Sequence, residues 1–340
     1  MKLELVLKPS YITKYYSCDY LTPKEWEEET NPNFLLGSIY ITIGTFVMIL
    51  YIPILYVLLT KDLLKNNFYK LILCITIVDI AGLSMSSWAC GIFTIKGYVY
   101  CSQPVAIYTV AIVVLTTWCT NSILAIVLAF NRCLDAFNLK WANAIFSGKK
   151  IYFWIITAFL FGLGIGLFTP PMLYSAKQYT VFFDPYLDID RVRVTFENPD
   201  QYNNFLVVLD NVGIFVVLPS LYFGFSILML RKIKTSTHKM SRMKKSLLLQ
   251  SFLLSSITFC SALTYDLMQF FILNRAIVII GHFFWLCSTC VGAFVYLTFN
   301  ITIRNHIIED FVPASIKKYW NIKSKVKIVK FQFPVKIPTI

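Results

Sequence analysis

Three carboxylates stand in stretches that carry no other charge: Asp79 within 71–95, Asp210 within 205–230 and Asp266 within 246–273. At the centre of a membrane-spanning helix an acid costs about 2.5–3.5 kcal/mol on insertion scales, so it faces a bundle interior or a water-filled cavity. Asp79 lies nearest the middle of its run. Asn121, eleven residues before Arg132 on the neighbouring run, reaches a similar depth, and Ser288 and Thr289 on the last run close the set. These four residues either hold water or Na⁺ in a polar pocket or make ordinary interhelical hydrogen bonds around a protonated Asp79. Asp210 and Asp266 lie nearer the ends of their runs. With Trp118, Tyr265, Gln269, His282 and Trp285 they would line an outward-opening apolar cavity with few polar groups, which suits a small organic ligand. The plainer reading of the two acids is contact with interfacial water. His282, alone on an apolar run, reads as a packing residue rather than a proton switch.

Catalytic chemistry has no foothold in the chain. It holds no HExxH, GxSxG or P-loop pattern and no carboxylates paired at catalytic spacing. No Cys/His spacing suggests a metal. The sequence therefore predicts a protein that is not an enzyme and needs no cofactor.

The elements that must position these residues are apolar runs. Of 340 residues 57% are hydrophobic and 14% charged, with a mean hydropathy of +0.64. A soluble domain is nearer half apolar and a quarter charged. The pattern predicts an all-α membrane protein, a seven-transmembrane helix bundle over 35–303. Its segments are 35–60, 68–95, 104–131, 151–174, 205–230, 246–273 and 277–303, each about the length of a tilted spanning helix. The bundle is organised around Trp118 to Phe137. Gly97 to Asn131 hold no charged residue or histidine over 35 residues, and Arg132 stands where such a helix would leave the lipid. Thr116, Thr117, Asn121 and Ser122 keep that helix inside the bundle. Pro53, Pro170, Pro171 and Pro219 mark kinks or helix ends. Gly162, Gly164 and Gly166 either permit close backbone approach or simply loosen their helix.

Orientation follows from Lys and Arg. With the C-terminus inside, 22 of the 31 fall on the inner side and 11 acids on the outer side, against 4 inside. Residues 1–34 are then an extracellular N-terminal segment and 304–340 a basic cytoplasmic tail. The net charge of +13 is thereby a matter of membrane orientation and not of nucleic acid. MKLELVLKPS lacks the apolar core of a cleavable signal peptide. Cys18, Cys90 and Cys101 lie at or near the outer face and loop 175–204 has no cysteine. An outer disulfide must draw on those three, and Cys18–Cys101 is the favoured pair, which would pin the N-terminal segment to the entrance of the third helix. The inner loop 231–245 carries seven basic residues in fifteen, Arg231, Lys232, Lys244 and Lys245 among them. It suits anionic lipid or the acidic surface of a cytosolic partner, and the Lys-rich stretch 317–336 suits lipid. The Asn300-Ile301-Thr302 sequon falls on the inner side, where it goes unused.

With these residues placed, the chain resembles a seven-helix G-protein-coupled receptor of rhodopsin-like architecture. LILCITIVD (71–79) resembles the second-helix Leu-x-x-x-Asp pattern, and LAFNRCLD (128–135) the third-helix Asp-Arg-Tyr motif with Asn131, Arg132 and Cys133 in its places. GAFVY (292–296) with Asn300 and Arg304 resembles the seventh-helix Asn-Pro-x-x-Tyr motif, and Pro219 matches the fifth-helix proline. The detail is closer to the nematode serpentine receptors of class T, a chemoreceptor family. That likeness rests on Tyr16-x-Cys18, Trp26, Asn31-Pro32, Tyr51-x-Pro53, Phe68-Tyr69-Lys70, Tyr100-Cys101, Leu128-Ala129-x-Asn131-Arg132 and Tyr296-Leu297-x-x-Asn300-x-x-Ile303-Arg304.

The resemblance implies a small external ligand, sensory signal transduction and a plasma membrane or sensory cilium. It also implies a heterotrimeric G protein that meets Asn131, Arg132 and the inner loops. Four departures bear on this. Asn131 replaces the acid that would pair with Arg132, and Gly292-Ala293 replace Asn-Pro. Residues 246–273 contain neither Pro nor Trp, and the common disulfide to the second outer loop has no cysteine to use. Val114, about five turns before Arg132, argues against amine ligands. The competing class is a seven-helix transporter or ligand-gated channel subunit. Against it stand the absence of internal repeats and of a charged ring or filter-like loop.

Overall fold

The computed structural model describes residues 8–193, 202–234, 242–271, 273–313 and 315. Its helices in chain order are α1 (Pro9–Tyr15), α2 (Pro23–Glu28), α3 (Phe34–Thr60), α4 (Asn67–Leu83), α5 (Cys90–Lys96), α6 (Pro104–Phe137), α7 (Leu139–Phe146), α8 (Lys150–Phe168), α9 (Asp190–Arg193), α10 (Phe205–Lys234), α11 (Arg242–Phe270), α12 (Arg275–Thr298) and α13 (Ile301–Phe311). A π-helical turn, Ser84–Ala89, joins α4 to α5, so these form one span. Among the described residues six spans are long and apolar enough to cross a membrane: Phe34–Thr60, Asn67–Lys96, Pro104–Asp135, Lys150–Phe168, Phe205–Leu228 and Arg275–Thr298. The long helix α11 completes the seven-helix bundle between α10 and α12.

Local chemistry sets the helix ends. Backbone polar groups in lipid must be satisfied within the segment, so the uncharged runs are helical. Asparagine caps several starts by accepting a backbone N–H: Asn33 from Leu36 at 3.0 Å, Asn66 from Phe68 at 2.9 Å, Asn274 from Ala276 at 2.8 Å and Asn300 from Ile303 at 3.2 Å. Pro53 and Pro219 sit within α3 and α10 without ending them. Pro170-Pro171 do end a helix, since a residue before proline is driven out of the helical region.

The structure thus moves several expected bounds. The fourth segment stops at Phe168 and not 174, and residues 173–175 are a β-strand. The third continues past Asn131 to Phe137, so Arg132 lies inside the helix rather than at its exit. The seventh ends at Thr298, and the tail opens with a separate helix, α13.

α6 packs against α4, α8 and α10, which makes it the centre of the bundle. The side chains of Phe46, Ile49, Ile52, Phe153, Leu160, Val216 and Phe223 stand exposed on the outer helices. Their exposure is that of a surface solvated by lipid. The glycines of α8 divide by face. A Cβ on Gly162 would meet Thr120 Oγ1 at 2.1 Å and the Thr116 carbonyl at 2.5 Å, and one on Gly166 would meet Thr116 Oγ1 at 2.3 Å. Gly164 has nothing within 4 Å. Two of the three therefore permit close approach, spaced one turn apart on the face toward α6.

The face that carries the N-terminus is closed by a lid. Cys18 and Cys101 are bonded, with their Cα atoms 5.5 Å apart. The Trp26 indole N–H donates to the Cys18 carbonyl at 2.9 Å. Tyr186 donates to Ser17 O at 2.5 Å, Tyr202 to Tyr15 O at 2.9 Å and Tyr100 to Tyr16 O at 3.3 Å. Buried tyrosine suits this task because its ring fills space while its hydroxyl satisfies a carbonyl. Burial pushes the Tyr100 hydroxyl up to about 12 and raises that of Tyr186, so both remain protonated donors. Lys177 pairs with Glu29 at 2.6 Å and Arg191 with Glu28 at 2.9 Å, tying α2 to the connection after α8. In that connection β1 (Leu173–Ser175) and β2 (Thr180–Phe182) pair antiparallel, Ser175 opposite Thr180, with all six residues buried. An interruption of the all-helical pattern is tolerated there because protein covers it.

The glycine faces give a matched test. Gly162→Ala and Gly166→Ala force α8 off α6 and should each destabilise the fold by about 1–3 kcal/mol. Gly164→Ala should stay within about 0.5 kcal/mol. The thermal midpoint of the purified protein measures all three; equal effects would show that the α6–α8 approach does not limit stability.

Candidate functional site

Asp79, 3% exposed, stands at the heart of the bundle. Its Oδ1 accepts from Asn121 Nδ2 at 2.9 Å, and its Oδ2 lies 3.2 Å from the Tyr51 hydroxyl. That hydroxyl also lies 2.8 Å from the Thr289 carbonyl. Ser288 and Thr289 do not close the set with their hydroxyls, as the sequence suggests. Both donate back along α12, to Trp285 O at 2.6 Å and Leu286 O at 2.8 Å. Hydroxyls in apolar helices commonly take this local partner. Gly292 leaves the Asp79 site tight: a Cβ there would fall 2.8 Å from Asp79 Oδ2 and 2.9 Å from Tyr51 Oη.

A second polar set crosses α6, α10 and α11. The Trp118 indole N–H donates to Asn211 Oδ1 at 2.9 Å, and Asn211 Nδ2 donates to Asp266 Oδ1 at 2.6 Å. Beside it, the Ser122 hydroxyl donates to Asp210 Oδ1 at 2.6 Å. Both acids are 8% exposed and face other helices rather than interfacial water. Asn211, 1% exposed, joins the set and carries it, yet it is absent from the sequence expectations. Its signal was present: an amide next to an acid in an otherwise uncharged run.

The third set is closed by the hairpin. Tyr265 Oη lies 2.8 Å from Thr180 Oγ1, Thr180 Oγ1 lies 2.9 Å from His282 Nδ1, and His282 Nε2 lies 3.0 Å from the Ser86 carbonyl. One order of donors satisfies every group. His282 Nε2–H donates to Ser86, Thr180 donates to Nδ1, and Tyr265 donates to Thr180. This requires a neutral His282, stacked against Tyr40 at 4.1 Å and edge-on to Trp285 at 5.4 Å. Thr180, itself fully buried, enters from a loop that offers no sequence signal of its depth.

The expected cavity is therefore divided. Trp118, Asp210 and Asp266 lie in the second set, and Tyr265, His282 and Trp285 beneath the hairpin, which fills the space above them. An open cleft lies to one side, between the hairpin and the ends of α11 and α12, and Tyr265 and Gln269 line it. Asn204 fixes that corner: its backbone N–H donates to Gln269 Oε1 at 3.0 Å, and its Nδ2 donates to Thr169 Oγ1 at 2.6 Å.

At the opposite face the Arg132 guanidinium carbon sits 3.3 Å from the centre of the Phe68 ring. A guanidinium over an aromatic face is a cation–π contact that strengthens away from water. Phe68 thus takes the place of the missing acid. Asn131, 5% exposed, faces the interior. The Cys133 thiol donates to Leu221 O at 3.0 Å, which ties α6 to α10. α7 docks through Asn67 Nδ2, which donates to Phe146 O at 2.5 Å, and α13 through Lys61–Asp310 at 2.7 Å. Arg231 and Lys232 fall in the last turn of α10 and Lys244 and Lys245 in the first turn of α11; their side chains lie outside the described residues, as do residues 235–241 and 316–340. Among the described residues no cluster of His, Cys, Asp and Glu could hold a metal.

The chain matches the family described as "Serpentine type 7TM GPCR chemoreceptor Srt" over residues 2–320. Serpentine receptor class T-55 of Caenorhabditis elegans is 24% identical over 257 residues, covering 74% of this chain and 66% of that protein, just under two thirds of its length. The chain belongs to the class T serpentine chemoreceptor family and is a multi-pass membrane protein.

Asn211→Leu leaves the Trp118 N–H and one Asp266 oxygen unpaired and should destabilise by about 1–3 kcal/mol per orphaned group. Adding Trp118→Phe removes one orphan, so the double variant should be less destabilised than the sum of the singles by about 1 kcal/mol. Thermal midpoints decide it; strict additivity would mean that the two side chains do not interact.

Proposed function

We propose that this class T serpentine receptor senses a small external chemical and activates a heterotrimeric G protein, with its N-terminus outside and its C-terminus inside the plasma membrane. The observation that carries the reading is α6. One unbroken helix leads from the disulfide-pinned lid beside Cys101 to Arg132 at the basic face. The distribution of Lys and Arg supports the orientation. A ligand must bind the active arrangement better than the resting one to shift their populations. The lid offers contacts that differ between the two, because the hairpin it holds reaches α11 and α12 through Thr180. At the inner face the Phe68 ring holds Arg132 in the resting arrangement, and release of Arg132 opens it to the G protein. No residue in this scheme catalyses a reaction.

Second-messenger output tests this in cells that display the chain, challenged with a panel of small molecules while membrane current is recorded. Arg132→Ala should abolish the evoked output at normal surface level. Phe68→Leu should raise the unstimulated output several-fold, and Phe68→Tyr should not. A response that survives Arg132→Ala, or a current that persists with G proteins blocked, would refute the proposal.

A further inference from the structure

The cleft beside the hairpin has a volume of about 230 Å³ and walls that include Phe182, Phe183, Leu187, Met268 and Leu273. Among the described residues no Lys, Arg or His lines it. Among the described residues two buried amide atoms of the lining lack a partner: Gln178 Oε1 and Gln269 Nε2. Their identities are fixed by what the other end of each amide does. Gln178 gives its N–H to the Asp188 carboxylate, which leaves its oxygen. Gln269 accepts from the Asn204 backbone N–H at 3.0 Å, which leaves its NH2 group. A buried acceptor and a buried donor without partners are rare and destabilising in native folds.

We propose that this cleft, rather than the bundle centre, is the ligand site, and that it takes a small, uncharged, largely apolar molecule carrying a donor for Gln178 and an acceptor for Gln269, as a primary amide or an alcohol does. The proposal rests on the receptor reading and adds to it a place and a chemical class. The bundle centre is closed by Thr180. Anions meet the carboxylates of Asp184 and Asp188 with no cation to offset them. Asp188 accepts from Gln178 and Asp184 from the Tyr186 backbone N–H at 2.9 Å, so both carboxylates have work within the protein, and the neutral class follows from the two amide atoms, which offer one acceptor, one donor and no charge. The volume is below the roughly 300–1,000 Å³ of pockets for drug-sized ligands, which points to a smaller occupant.

Coupling follows from the same geometry. Both amide atoms are shut off from solvent, so a ligand that pairs with them parts the hairpin from α11 as it enters. Tyr265 lines the cleft and also holds Thr180. Parting the two loosens Thr180 from His282. The ligand thus binds the opened arrangement better than the closed one, which is the condition for shifting a population.

The test uses the full chain in lipid nanodiscs, with benzamide, benzyl alcohol, benzoate and benzylammonium as probes and the thermal midpoint as readout. Benzamide and benzyl alcohol should raise the midpoint; the two ions should not. Gln269→Leu should weaken benzamide about tenfold, the effect of one hydrogen bond. Leu187→Trp, which narrows the cleft and keeps both glutamines, should abolish the shift. The proposal is overturned if neither neutral probe shifts the midpoint, if the ions shift it equally, or if the shift survives both substitutions. The readout needs no G protein. Binding in a chain that never signals would therefore count against the receptor and spare the site, while evoked signalling that survives both substitutions would count against the site and spare the receptor.

Discussion

The hydroxyl of Thr180 is the joint on which the lid-side half of the bundle depends. It accepts from Tyr265 on α11 and donates to His282 on α12, whose other nitrogen donates to Ser86 in the π-helical turn. One loop residue thus links three spans, and each donor in the chain has a single acceptor. The lid exists to hold that residue in place: the Ala176 N–H donates to Tyr98 O at 3.0 Å, Asn31 Nδ2 donates to Ala176 O at 3.2 Å, and the guanidinium of Arg275 donates to the Lys177 carbonyl. With the Cys18–Cys101 bond, these contacts make the N-terminal segment, the hairpin and the start of α12 a single cap.

Below the cap, the constraint is that polar groups in lipid must find partners within the bundle. It accounts for the way Asp79, Asn121 and Tyr51 join α3, α4 and α6, and for the way Asn211 joins α6, α10 and α11. α6 takes part in both sets and also receives α8 through Gly162 and Gly166. Where the chain departs from the broader receptor pattern, the structure shows a substitute. Phe68 stands in for the acid that Asn131 displaced, and Gly292 leaves room for the Asp79–Tyr51 contact where a side chain would intrude.

The helices were legible because an uncharged run in lipid has few alternatives. The centrality of α6 was legible from Thr116, Asn121 and Ser122, which could not face lipid. The favoured cysteine pair is the one joined in the structure. What could not be read depends on contacts remote in sequence. Residues 175–204 look like a polar connection, yet Thr180, Val181 and Tyr186 are buried because a lid built from residues 8–33 lies over them. The expected ligand set mixed two networks, since chain position gives depth in the membrane but not which neighbour a side chain faces. Ser288 and Thr289 lie at the right depth and bond their own helix. Gly164 resembles Gly162 in sequence and points the other way.

If the seat of Thr180 on His282 and Tyr265 holds the resting arrangement, Thr180→Val tests it most directly, because valine keeps the shape and removes the hydroxyl. The measurement is unstimulated second-messenger output at matched surface level. A several-fold rise over the unsubstituted protein is expected, with a lower thermal midpoint as His282 and Tyr265 lose their partner. Output and midpoint that both equal those of the unsubstituted receptor would contradict it.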